Sequence, residues 1–284
     1  MAALITSIAE MQKLSDRLLA DGRRIVVVPT MGALHEGHLS LIRIGRGHGD
    51  AVVTTVFVNP TQFRAGEDFE AYPRRLARDS ELALAAGTDF VFAPSTEEMY
   101  PAGYETYVEV EGVTSVLEGA SRPGHFRGVA TVVTKLVHIV RPHVAVFGQK
   151  DAQQVAVIRR MVADLNFVVH VVVGPTVREP DGLAMSSRNA YLTPQQRAEA
   201  PVLYQALELA RAKLSAGAFD SSTIKGEMQA LIASRSTGVV DYISIADADT
   251  LQELPQAGPL RSVLVSLAVR FGSTRLIDNI VEGT

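Results

Sequence analysis

Two histidines separated by a glutamate and a glycine close the run Pro29-Thr30-Met31-Gly32-Ala33-Leu34-His35-Glu36-Gly37-His38. Imidazole N–H groups can donate to an anion, and Gly37 leaves room for its close approach. As metal ligands, His35 and His38 would need a third His, Asp or Glu, and helical zinc pairs usually have i, i+4 spacing. Phosphate contact suits them better, with a plain core or surface histidine as the remaining alternative for either one alone. Two more polar clusters follow apolar runs, Val58-Asn59-Pro60-Thr61-Gln62-Phe63 and Phe147-Gly148-Gln149-Lys150-Asp151. Asn, Pro, Gly and Asp favour turns anyway, so each cluster alone could be an ordinary loop; their recurrence argues for a shared ligand. A fourth cluster, Met185-Ser186-Ser187-Arg188-Asn189, sets small hydroxyls beside a guanidinium that can grip phosphate in a bidentate manner.

Elements that would position these groups are legible in the hydrophobic pattern. Strands are expected at Ile25–Val28, Ala51–Val58, Asp89–Phe92, His143–Phe147 and Phe167–Val173. Helices are expected at Leu39–Arg46, Arg74–Ala86, Val129–Val140 and Ala152–Leu165. Such alternation predicts an α/β, Rossmann-like parallel sheet with helices on both faces. The first three clusters would then share the carboxyl edge of the sheet, where helix N-termini favour anionic ligands. Beyond Pro175 the pattern changes. Thr193-Pro194 opens a long helix to about Ser215, another helix covers Ile224–Ala233, and strands follow at Val240–Ile245, Ser262–Val269 and Leu276–Ile280, with Gly272-Ser273 as a turn. The expected division is therefore residues 1–175 as a Rossmann-like domain and 176–284 as a smaller α+β domain.

Composition narrows the function. No cysteine is present, which excludes disulfides and thiol chemistry. A formal net charge of -4 argues against a broad nucleic-acid-binding face. Acidic and polar residues between Glu10 and Asp16 fit neither a signal peptide nor a membrane span, so a cytoplasmic protein is expected. Gly45-Arg46-Gly47-His48-Gly49 imitates a dinucleotide fingerprint but follows a helix and precedes a strand, the reverse of what that motif needs. No Walker-type phosphate loop occurs.

The His-Glu-Gly-His turn together with the Ser-Ser-Arg loop resembles the paired signatures of the nucleotidyltransferase superfamily. Within it, the chain resembles the pantoate–β-alanine ligase family over nearly its whole length. The likeness rests on Pro29–His38, Phe57–Phe63, Tyr72-Pro73-Arg74, Arg122–Val129, Phe147–Gln154 and Asp181–Asn189, with no departure at these positions. It implies attack of a pantoate carboxylate on the α-phosphorus of ATP, then aminolysis of the pantoyl adenylate by β-alanine, releasing AMP. It also implies that the first domain binds nucleotide and pantoate and that the 178–190 loop closes over ATP as a mobile lid. Carried over, ATP contacts are Pro29, Met31, His35, His38, Gly148, Lys150, Asp151, Val177, Met185, Ser186, Ser187 and Arg188. Of these, His35, His38, Lys150, Ser186, Ser187 and Arg188 act on the phosphates. Met31, Asn59, Gln62, Tyr72, His125 and Gln154 are implied for pantoate, although Tyr72 could simply pack and His125 or Arg122 could be structural. Asp79 resembles the magnesium-associated acid of the family, against a solvated helix residue as its alternative. Mg2+ would otherwise be held by the phosphates, and the resemblance suggests a homodimer, with strands near Ala51–Val58 or the second domain as the candidate interface. His48, His138, His143 and His170 match no motif and are expected in ordinary positions, His138 packed. Another small-molecule nucleotidyltransferase and a non-catalytic nucleotide sensor are the rival readings; a tRNA-dependent ligase is disfavoured by the charge.

Overall fold

The computed structural model describes residues 3–64, 66–258 and 262–283. They divide into two compact units, one of residues 1–148 with 157–175, the other of 149–156 with 176–284.

The first unit is built on a six-stranded parallel sheet of β1 (Ala3–Ile5), β2 (Ile25–Thr30), β3 (Ala51–Val56), β4 (Phe90–Phe92), β5 (Val144–Gly148) and β6 (His170–Gly174). Their order is β1-β4-β3-β2-β5-β6. Ile25 to Val28 and Ala51 to Val53 are at most 1% exposed, which explains their unbroken apolar runs: both faces of these strands are covered. Helices α1 (Ile8–Ala20), α2 (Glu36–Arg46), α3 (Leu76–Ala86), the short α4 (Thr96–Met99) and α5 (Leu117–Ser121), and α6 (His125–Val140) join the strands. Val26, Val28, Val144 and Val146 pack with Leu41 and Ile42 of α2 and Ala83 and Ala86 of α3. α2 can lie this close because a Cβ at Gly45 would stand 3.1 Å from Val26, so glycine there serves helix–sheet packing and not a dinucleotide. The strand order reverses between β2 and β5, and in open α/β sheets ligands bind outside the carboxyl ends of strands at such a switch point.

β1 and α1 were not expected from the sequence. β1 is only three residues long, too short for a period-2 pattern, and α1 hides its stripe of Met11, Leu14 and Leu18 among polar neighbours. β3, at the expected Ala51–Val58 strand, lies between β4 and β2 and is buried.

Helix α7 (Ala152–Asp164) begins in the second unit, which otherwise comprises α8 (Pro194–Glu199), α9 (Val202–Ser215), α10 (Ser221–Arg235) and an antiparallel sheet ordered β7 (Val239–Asp247), β8 (Val263–Phe271), β9 (Thr274–Glu282). Thr193 caps α8 by a reciprocal box with Gln196, and Pro194 takes the first turn. The single helix expected to Ser215 is two. Pro201 has no N–H to continue the ladder, so α8 stops at Glu199 and α9 restarts at Val202. Its core joins Leu203, Ala206 and Leu207 of α9 to Ile224, Met228 and Ile232 of α10 and to Val265, Leu267 and Val269 of β8.

Candidate active site

The turn after β2 is set by a buried acid. Gly32 has φ +82° and Ala33 φ +51°, left-handed conformations that reverse the chain before α2. Asp79, on α3 and 2% exposed, accepts from the Ala33 N–H at 3.0 Å and from the Leu34 N–H at 2.8 Å. A Cβ at Gly32 would lie 2.9 Å from its Oδ2, so glycine is required there by space as well as by φ. Asp79 is thus not a solvated helix residue. Each of its oxygens accepts from one backbone amide, and among the described residues no group of three His, Cys, Asp or Glu is placed to hold a metal ion.

Both histidines cap α2. His35 is the N-cap, its Nδ1 accepting from the Gly37 N–H at 3.2 Å, while His38 Nδ1 accepts from the His35 N–H at 3.4 Å. An Nδ1 that accepts carries no proton, so each neutral ring holds its N–H at Nε2. The rings lie 4.2 Å apart between centroids. Two Nε2–H donors of fixed tautomer at the positive end of a helix suit a phosphate. Pro29 lies in β2 just before this turn and Met31 is half-buried in it.

The turn after β3 is organised by Asn59, 1% exposed. Its Nδ2 donates to Gln62 Oε1 at 3.0 Å and to Gly128 O at 3.1 Å. Its Oδ1 accepts from Thr61 Oγ1 and from the Tyr100 hydroxyl, both at 2.9 Å. Burial pushes that phenol up to about 12, keeping it a donor. With every side-chain polar atom engaged, Asn59 orients Gln62. Gln62 Nε2 thereby points the other way and donates to Met31 Sδ at 3.0 Å. α6 approaches this turn so closely that a Cβ on Gly128 would stand 2.4 Å from Thr61 O.

His125 is bracketed by the same turn. Its Nδ1 is 2.8 Å from Gln62 O and must donate; its Nε2 is 3.2 Å from Arg122 NH1 and must accept, since guanidinium only donates. Burial, aided by the Arg122 charge, lowers its pKa to about 4, so the ring is neutral at pH 7. Arg122 completes the bracket with a bidentate pair to Glu67 at 2.6 and 2.9 Å, which holds the Glu67 carboxyl below its ordinary range against the opposing effect of burial. Tyr72 is 5% exposed with its ring edge-on to Phe63, a packed position. Of the unmatched histidines, His138 is exposed against expectation, because it falls off the apolar stripe of α6 and rests edge-on against Phe167. His143 Nδ1 accepts from the Ile25 N–H.

In the second unit, Lys150 follows Gly148 and Gln149 in a short 3-10 turn, its side chain 22% exposed and its ammonium 3.8 Å from Asp151. Gln154 is half-buried at the start of α7. The 178–190 segment is a hairpin tied by internal contacts. Arg178 bridges Ala184, Met185 N–H donates to Val177 O at 3.0 Å, and Glu179 and Asp181 both pair with Arg197. Ser186 caps the turn Ser187–Tyr191 by accepting from the Arg188 N–H at 3.2 Å. Sequence reasoning missed Asp278 and Asn279 of β9, which hold this region from behind; burial pushes the Asp278 carboxyl up, with Arg178 opposing. Their only sequence signal is an acid and an amide interrupting the apolar run Leu276–Ile280.

The sequence pattern of pantoate-beta-alanine ligases matches residues 3–281. The pantothenate synthetase of Acetivibrio thermocellus is 56% identical over 260 residues, 92% of each chain. That of Geobacter sulfurreducens is 51% identical over 280 residues, 99% of this chain and 98% of its own. Among solved structures, the Thermus thermophilus pantothenate synthetase superposes with a TM-score of 0.92 at 46% identity, covering 99% of both chains. The pantoate-beta-alanine ligase of Francisella tularensis, in complex with beta-gamma ATP and beta-alanine, gives 0.81 at 32% identity over 99% of this chain and 98% of its own. No helix among the described residues is long and apolar enough to cross a membrane. The fold, the two-histidine cap and this similarity along the entire chain agree: the chain belongs to the pantoate–β-alanine ligase family.

Proposed function

We propose that this chain condenses pantoate with β-alanine at the expense of ATP. The pantoate carboxylate attacks the α-phosphorus, a carboxylate–phosphorus bond forms and pyrophosphate leaves. The β-alanine amine then attacks the acyl carbon of the pantoyl adenylate, forming the amide, losing a proton and expelling AMP. No enzyme nucleophile is required; catalysis comes from alignment and charge stabilisation. The observation that carries this reading is the pair of tautomer-fixed imidazoles at the start of α2. In this proposal His35 and His38 donate Nε2–H to phosphate oxygens. Lys150 meets the charge that builds up at phosphorus, and Ser186, Ser187 and Arg188 grip the departing pyrophosphate. Gly148, Asp151, Val177 and Met185 shape the nucleotide site. Gln62, oriented by Asn59, and Gln154 take pantoate's carboxylate and hydroxyls, with Met31 as apolar contact. Magnesium enters as part of the Mg-ATP substrate, bound mainly through phosphates, with Asp79 as the candidate associated acid.

Pantoate-dependent exchange of labelled pyrophosphate into ATP, before any β-alanine is added, tests the first step. Stoichiometric AMP and pantothenate on adding β-alanine test the second. No exchange by a folded, ATP-binding sample would overturn the proposal in favour of a sensor, and AMP kept in the product would point to another nucleotidyltransferase. A cytoplasmic location, assembly as a homodimer and a domain boundary near residue 175 belong to the same proposal; sedimentation of the purified chain checks the dimer.

A further inference from the structure

An acid and an amide stand side by side in β9, where Leu276 and Ile280 otherwise form part of an apolar core. Asp278 is 2% exposed and Asn279 4% exposed. Asn279 Nδ2 donates to Lys150 O at 2.9 Å and to Gln149 O at 3.1 Å, while its Oδ1 accepts from Gln149 Nε2 at 3.0 Å. Two successive carbonyls are thus pinned by one side chain, and only a carboxamide can donate twice and accept at once. Asp278 receives both arms of Arg178, at 2.6 and 3.0 Å, and the Asn279 N–H at 2.8 Å. Arg178 also donates to Gly182 O at 3.1 Å and lies 3.8 Å over the Tyr204 ring, at the root of the hairpin that leads to Ser186. Stability alone is a poor reason for this arrangement, because apolar replacements of buried ion pairs are often neutral or stabilising.

We propose that Asp278 and Asn279 are positioning residues for the ligase reaction. Asn279 fixes the main-chain path that delivers Lys150, and Asp278, through Arg178, fixes the hairpin that delivers Ser186, Ser187 and Arg188. This rests on the reading of Lys150 and the Ser-Ser-Arg loop as phosphate contacts.

The test is a double-mutant cycle in the full chain, read by pantoate-dependent pyrophosphate exchange. Asn279→Ala is expected to lower the exchange kcat by roughly 10-fold or more, since misplacement by about an ångström is enough for that, with the pantoate KM within about 2-fold. Once Lys150 is already alanine, the same change should cost almost nothing, because groups acting as a unit are not additive. Should Asn279→Ala fold poorly, Asn279→Asp keeps the volume, removes both donors and should show the same non-additivity. Asp278→Asn should raise the ATP KM by roughly 5-fold, as expected for a lost charge-assisted bond, and merge in the same way with Arg188→Ala. A loss from Asn279→Ala that multiplies unchanged onto Lys150→Ala, or near-normal exchange in Asn279→Ala, overturns the inference. Near-normal exchange in Lys150→Ala alone would instead overturn the reading of Lys150 itself.

Discussion

In the proposed reaction the turn after β2 and the region around Lys150 would both supply donors to phosphate oxygens, and the two are held in opposite ways. His35 and His38 are held by their own neighbours: the bonds that set their tautomers span two and three residues. Asp79 is a distant contributor, 45 residues from Leu34. Around Lys150 and Ser186 the holding groups lie far along the chain: Asn279 is 129 residues from Lys150, and Asp278 is 100 from Arg178. A local cap forms whenever its helix forms. A clamp of that span forms only when the whole second unit has folded, so remote substitutions should trouble it far more.

The comparison breaks most directly at Lys150. Lys150→Ala is expected to slow pyrophosphate exchange by at least about 10²-fold through lost charge stabilisation; near-normal turnover would remove it from the catalytic set. Next comes a remote support of the local turn. Asp79→Asn turns an acceptor into a donor facing a backbone N–H and should cost about 1–3 kcal/mol in denaturant unfolding. Recovery of its exchange at high magnesium would support the magnesium association, whereas a defect that persists at any magnesium concentration would remove it. Gln62→Ala should raise the pantoate KM by roughly 10-fold, the value of one good hydrogen bond, and move the ATP KM much less; equal shifts would contradict its assignment.

The smallest effect concerns His125, whose folded pKa of about 4 lies below its ordinary 6.5. A depressed pKa gives stability that is complete above 6.5 and is lost as pH falls toward 4, because the unfolded chain takes up the proton first. Between pH 7 and pH 5.5 the native protein should therefore lose about 1 kcal/mol more than His125→Gln. Parallel stability curves would show that the ring is not held neutral by its surroundings.

Much of the site was legible because its signals are local. The Ile25–Val28 run, the Gly-containing turn and the paired histidines all lie within fourteen residues, and their elements appear where the pattern puts them. The partners of Asn59 and His125 were not legible. A carboxamide reads the same in sequence whether or not its polar atoms are spent inside the protein, as they are here on Gln62, Gly128, Thr61 and Tyr100. Asp79 shows no hint that it will bind a turn two elements earlier, and the break at Pro201 was passed over in favour of a continuous apolar pattern.

The sequence by itself determined the parallel sheet, the strand-to-helix turn that carries two imidazoles, and the family, since periodicity, turn chemistry and motif spacing act over a few residues. Only the tertiary structure decided which polar side chains are spent inside the protein and which are turned outward. That choice is made by burial and by partners a hundred residues away, which no short window of sequence contains.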